Sequence, residues 1–271
     1  MILGGYILQN SDIKGILFDK DGTIIDFYTL WLPVVERVAE NIIEQLTELE
    51  IKADKEKAAA LNDNMMDIFG VCTEKEKIDP EGNLAQATVM SCARELADYL
   101  AASDVLLKRD ENELVDEIID IMEASAGGIE FTENLRETAD LDFIFSELKN
   151  RGFYVGLATA DSRPSTLTSL QELKLMDYFD YIACGDDDKP DKPDPTVVEN
   201  FCDKFGLSPG KVAYVGDTPV DMQTASNAGV GLIAGVLCGV GQEDDLQNKA
   251  DVIIENPSKI LDILNGRSGQ S

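Results

Sequence analysis

Five short apolar runs in the second half of the chain most constrain its fold. They are "FYVGLAT" from Phe153, "YIAC" from Tyr181, "KVAYVGD" from Lys211, "VGLIAGVL" from Val230 and "DVIIE" from Asp251. Between them lie helical stretches, expected after Arg163, after Pro195, from Pro219 and at the end of the chain. Strands alternating with helices predict a parallel sheet covered on both faces, because each crossover lays a helix on the sheet. A sixth strand is expected at Ile16–Asp19, within "GILFDKDGTIID".

Between Tyr28 and Glu137 the pattern is different. Val35, Val38, Ile42, Leu46 and Leu49 recur at three- and four-residue steps, as do the apolar positions of "LAQATVMSCARELADYLA" and "NELVDEIIDIMEA". No convincing strand interrupts them. Because the first strand belongs with the later sheet, the helical stretch is expected to be an insertion. The predicted fold class is α/β, a Rossmann-like core from residues 1–27 and 138–271 with a helical domain from 28–137. A chain of 271 residues with 44% hydrophobic content can bury a core of that size. The tail "GRSGQS" reads as disordered.

Composition narrows the chemistry. Histidine is absent, which removes Ser-His-Asp and Cys-His hydrolysis, histidine phosphatases and His-containing zinc sites, and leaves acid-base work to carboxylates, Lys, Tyr or Cys. A formal net charge of -29 disfavours nucleic acid and anionic membrane as partners. The five cysteines include no CxxC pair and read as reduced, packed thiols of a cytoplasmic protein. None has an Arg six residues later, as a cysteine-phosphatase loop would. The start "MILGGYILQNSDIK" lacks the basic opening and long apolar core of a signal peptide. The uncharged stretch Met222–Gln242 is broken by polar residues and Gly, so it reads as helix then buried strand and no membrane span is expected. The GxGxxA spacing in "AGVGLIAGV" follows no strand and opens no phosphate-facing helix, so it is no dinucleotide signal.

The paired acids of "GILFDKDGTIID" admit a calcium loop or a phosphoryl-transfer site. With Asp19 and Asp21 at the third and fifth positions of an EF-hand loop, Gly22 falls on the sixth, but Leu17 and Tyr28 occupy the first and twelfth, where oxygen ligands are required. An apolar strand also precedes the pair in place of a helix. Ligands of open parallel sheets bind beyond the carboxyl ends of the strands. The candidates are therefore the polar strand ends: Asp19 and Asp21, Thr159, and Asp217 followed by Asp221.

"DKDGT", "LATADS", "KPDP" and "VGDTPVD", in that order and at those strand ends, resemble the four motifs of the haloacid dehalogenase superfamily, and most closely its phosphoglycolate-phosphatase-like branch with a helical cap after the first motif. The resemblance implies a Mg²⁺-dependent phosphatase acting on a small phosphorylated metabolite through an aspartyl phosphate. It makes Asp19 the nucleophile and Asp21 the acid-base residue. The metal set it implies is Asp19, Asp21 through its backbone carbonyl, Asp217 and Asp221. Thr159 and Ala160 would hold phosphoryl oxygens, and Lys192 would offset negative charge, with Asp221 orienting the metal shell or the lysine. Lys189, in the near-duplicate context "DDDKPDKPDP", is the runner-up.

The same motifs fit a sugar-phosphate mutase, in which the aspartyl phosphate passes to a sugar, and a non-catalytic binding protein on the same fold. Taken singly, each residue has an ordinary reading as a turn residue, helix cap or surface charge. Asp26, Asp161 and Asp186–Asp188 are expected to be turn or solvated residues, with Asp26 close enough in sequence to line a cap entrance. Arg94 is a candidate to grip a substrate carboxylate, although a solvated helix Arg is the plainer expectation. Hinges of the cap are expected near Asp26–Leu30 and Ala126–Ile129.

Overall fold

The fold is known from a computed structural model, which describes residues 13–72, 77–80, 82–103, 111–126 and 132–266. Six strands form one sheet in the order β5-β4-β1-β6-β7-β8: β1 Gly15–Phe18, β4 Tyr154–Ala158, β5 Tyr181–Ala183, β6 Val212–Gly216, β7 Leu232–Val236 and β8 Val252–Ile254. All neighbouring pairs are parallel. The chain runs outward through β4 and β5, then returns to β6 on the other side of β1, so the direction of winding switches at β1. That switch opens a crevice at the carboxyl ends of the central strands.

Successive residues of β1 point to opposite faces. Ile16 and Phe18 join one apolar core with Phe145, Val155 and Leu157, while Leu17 joins a second with Phe201, Tyr214 and Met222. Each fully buried side chain of this kind contributes about 1.5–3 kcal/mol. Helices cover both faces: α7 Leu141–Asn150, α8 Arg163–Glu172, α9 Thr196–Phe205, α10 Pro219–Ala228, α11 Glu243–Leu246 and α12 Ile260–Leu264.

Between β1 and β4 come α1 Phe27–Leu46, α2 Leu49–Ala53, α3 Lys55–Phe69, α4 Asn83–Gln86, α5 Val89–Ala102 and α6 Glu111–Ala126. The expectation that no strand lies here needs correction. Gly70, left-handed at φ 79°, ends α3, and β2 Val71–Cys72 then pairs antiparallel with β3 Lys77–Ile78. Two-residue strands are too short to show alternation in the sequence, and backbone pairing alone defines them. The outgoing and returning chains run side by side: Ile25 bridges Glu137, and Asp26 N donates to Arg136 O at 2.8 Å. Gly127 and Gly128, expected at the second hinge, and the tail from Arg267 onward lie outside the described residues. Among the described residues no helix is long and apolar enough to cross a membrane.

Candidate active site

Parallel register sets the site. Phe18 is level with Leu157 on one side and Val215 on the other, so the chain leaves three adjacent strands at the same height. Asp19, Thr159 and Asp217 therefore emerge at one edge of the sheet, and all three are buried. Lys192, from the loop between β5 and α9, reaches across with Nζ 2.7 Å from Asp19 Oδ1 and 2.7 Å from Asp221 Oδ1. Lys189 makes neither contact. Burial pushes the Asp19 carboxyl from 3.8 up to about 7, with Lys192 pulling it back and Asp221 adding to the rise. Burial opposes the charge on Lys192, but Asp19 and Asp221 outweigh it and hold the ammonium well above its ordinary range.

Asp217 sits in a cradle that only glycine permits. Gly22 adopts φ 84°, and a Cβ there would lie 2.3 Å from Asp217 Oδ2; at Gly239 it would lie 2.0 Å away. Asp217 accepts from Thr23 Oγ1 at 3.2 Å and Val240 N at 2.9 Å, both neutral donors. Burial and then the Asp19 and Asp221 charges push its carboxyl well up. One oxygen each of Asp19, Asp217 and Asp221 lie within 4.8 Å of one another. Three buried carboxylates face a single lysine, and among the described residues no ion pair reaches Asp217. The remaining negative charge and the hard oxygen donors fit a divalent cation.

Asp221 has less freedom than its neighbours. Its Oδ2 accepts from Thr218 N and Thr218 Oγ1 in the capping box that opens α10, and its Oδ1 accepts from Lys192 Nζ and from Tyr214 OH at 3.2 Å. With four donors on two oxygens, it is better placed to orient Lys192 than to bind metal directly.

Asp21 belongs to a second charge cluster that the sequence did not disclose. Lys20, fully buried, places Nζ 2.7 Å from Asp21 Oδ1 and 2.9 Å from Asp161 Oδ2, and lies 5.8 Å from the centre of the Trp31 ring. The Asp161 contact is chiefly coulombic, since that oxygen is off the line of a hydrogen bond. Asp161, expected to be a turn or solvated residue, does lie in a bend after β4, but it is buried, with its carboxylate serving as the second counter-charge of Lys20. Burial raises the Asp21 carboxyl above the ordinary range, with Lys20 opposing the rise. The Asp21 carboxylate lies outside the group of carboxylates that could share a metal.

Removing Lys20 would strand the buried Asp161 carboxylate and the partly buried Asp21 carboxylate. Lys20→Met is therefore expected to lower stability by about 3–5 kcal/mol, and Lys20→Arg by less, because the charge survives. Chemical denaturation of the two variants checks this. Equal stability of Lys20→Met and the unmutated protein would mean that the triad carries no structural weight.

Thr159 Oγ1 accepts from Asp161 N at 3.0 Å, which leaves its own hydrogen to donate to an anion. Thr159 and Ala160 line a cavity of about 310 Å³ together with Asp19, Asp21 and Ser165. Ser165 Oγ is buried without a hydrogen-bond partner, a donor that neither motif nor periodicity singles out. The other candidates lie elsewhere. Arg94 is exposed and lines no part of this cavity. Asp26 caps α1 by accepting from Thr29 N at 2.8 Å. Asp186 and Asp187, expected to be turn or solvated residues, lie in the turn after β5, where Asp187 pairs with Arg163 at 2.6 Å and accepts from Cys184 N, and exposed Asp186 accepts from Arg163 N.

A parallel sheet with carboxylates, a lysine and a threonine gathered at its switch point is an α/β fold with a candidate active site at the place where such sheets bind their ligands. Residues 16–235 match the haloacid dehalogenase-like hydrolase family, and the chain belongs to that family. It is 24% identical over 252 residues to the phosphorylated carbohydrates phosphatase of Thermotoga maritima, covering 93% of this chain and 98% of that protein. It is 26% identical over 274 residues to the phosphoglycolate phosphatase of Shigella boydii serotype 4, covering 94% and 93%. Among solved structures it resembles a predicted phosphoglycolate phosphatase from Haemophilus somnus, with TM-score 0.66, 20% identity and coverage of 93% and 98%.

Proposed function

We propose that this protein is a Mg²⁺-dependent phosphatase that hydrolyses small phosphate monoesters through an aspartyl phosphate at Asp19. The observation that carries the reading is the position of Asp19, on the cavity wall and 2.7 Å from Lys192 Nζ, next to two further buried carboxylates. Asp19 and Asp217, with the Asp21 carbonyl, would hold the cation. Bound Mg²⁺ supplies the positive charge that keeps these carboxylates ionised and offsets the repulsion between Asp19 and a phosphate dianion.

An Asp19 oxygen attacks phosphorus, forming an acyl–O–P bond as the P–O bond to the leaving group breaks. Asp21, whose raised carboxyl can carry a proton, gives that proton to the departing oxygen. It then takes one from water, which attacks phosphorus, frees inorganic phosphate and restores Asp19. Thr159 Oγ1 and the Ala160 backbone hold the phosphoryl oxygens, and Lys192 balances their charge. The helices α1 to α6 act as the cap that keeps bulk water from the intermediate.

The test is phosphate release from p-nitrophenyl phosphate and a panel of phosphorylated metabolites, with Mg²⁺ and with chelator. Turnover undiminished in chelator would sink the metal role. On β-glucose 1-phosphate, an isomer in place of free phosphate would assign a mutase.

Stability should report the same cluster. The Asp19 carboxyl is raised in the fold to about 7 from 3.8, so its stabilising contribution is full below the lower value and is lost as pH rises through the higher. Metal-free protein is expected to melt lower at about pH 8 than at about pH 5, and Mg²⁺ should raise the melting temperature more at the higher pH. Asp217→Asn removes a carboxylate that the cation needs, so it should abolish most of the Mg²⁺ shift. Calorimetric scans decide it; a full Mg²⁺ shift in Asp217→Asn would place the cation elsewhere.

A further inference from the structure

The cavity has two chemically different ends. At the sheet it is polar, with Asp19, Asp21, Thr159 and Ser165. At the helical side its wall is apolar: Val34, Val35 and Val38 from α1, Phe69 from α3 and Met122 from α6, with Trp31 at the junction, its indole N–H turned to Asp21 and its ring carbon on the wall. Two polar side chains interrupt that wall. Asn83 already donates to Ile68 O at 3.0 Å and to the Glu95 carboxylate, and Glu123 carries negative charge. Among the described residues lining the cavity there is no Lys or Arg.

A leaving group reaching from the phosphate site meets this wall. A carboxylate on it would face apolar carbon and the Glu123 charge. The hydroxyls of a sugar would give up water for carbon. An alkyl or aryl group gains by leaving water at every carbon. We propose that the physiological substrate is the phosphate monoester of an apolar alcohol or phenol, its hydrocarbon lying against Trp31, Val35, Val38 and Met122. This proposal rests on the phosphatase reading above and adds the class of the leaving group.

The experiment compares kcat/KM for ethyl, butyl and hexyl phosphate, 2-phosphoglycolate and β-glucose 1-phosphate, with Mg²⁺ present. Each methylene in apolar contact is worth about fourfold, so hexyl phosphate, longer by four methylenes, is expected to exceed ethyl phosphate by about two hundredfold when all four leave water. Hexyl phosphate should also exceed both polar substrates. A flat series, or a preference for 2-phosphoglycolate or the sugar phosphate, overturns the proposal and leaves the phosphatase reading standing. Ethyl- and hexylphosphonate, which cannot be hydrolysed, are measured in parallel by calorimetric binding. Tighter hexylphosphonate binding without release of phosphate from any ester would sink the phosphatase reading and keep the apolar ligand class. Equal binding of the two phosphonates overturns the proposal whatever the turnover.

Met122→Lys puts an ammonium on the half-buried part of the wall and is expected to cut the hexyl-to-ethyl ratio at least about fivefold, whereas Met122→Leu should keep it. An unchanged ratio in Met122→Lys overturns the placement of the chain against this wall.

Discussion

Asp19→Asn is expected to remain folded and to release phosphate at least about four orders of magnitude more slowly than the unmutated protein, the scale of loss seen when an enzyme is deprived of its nucleophile. The amide keeps the size of the side chain and can still accept from Lys192, which retains Asp221 at 2.7 Å. What disappears is the anionic oxygen that forms the bond to phosphorus. The substitution also removes a carboxylate that burial raises to about 7, so metal-free Asp19→Asn should melt at or above the unmutated protein at neutral pH. Loss of turnover is then separable from loss of fold by a melting curve on the same sample. Near-normal phosphate release would show that no aspartyl phosphate forms at this residue.

How far the site could be read from sequence depended on what each residue needed from the rest of the chain. Asp19, Thr159 and Asp217 end apolar runs, and parallel strands must bring such ends together, so local pattern was sufficient. Lys192 was separable from Lys189 only through its "KPDP" context, and the 2.7 Å approach to Asp19 is a property of the loop as folded. Lys20 and Asp161 were opaque for a physical reason: charged residues are ordinarily solvated, and nothing local shows that Lys20 has counter-charges from two loops. Val35 and Val38 were legible as one apolar stripe of a helix. The same stripe lines the cavity, and periodicity cannot distinguish a side chain packed against protein from one facing a ligand. The β2–β3 ribbon leaves no mark in the sequence, because it has no length over which a period could appear.

Asp21→Asn separates the two chemical steps and makes the most specific claim about the mechanism. The fold should tolerate it, because Lys20 keeps Asp161 as a counter-charge at 2.9 Å and the backbone around Gly22 is unchanged. Asp19 and the metal site keep their carboxylates, while the group that donates and then accepts a proton is gone. Acid-base assistance is worth about 10² to 10⁴ in rate, so turnover of an alkyl phosphate should fall by that factor. With p-nitrophenyl phosphate the first step needs little protonation, since nitrophenolate is a stable anion. The aspartyl phosphate still needs a base to activate water, so the intermediate should accumulate. Rapid-quench measurement is expected to show a burst of about one nitrophenolate per site followed by slow turnover, the signature of a covalent intermediate that forms faster than it breaks down. A linear course at the unmutated rate would remove Asp21 from acid-base catalysis. Asp161, buried on the same cavity and joined to Asp21 through Lys20, would then be the next carboxylate to test.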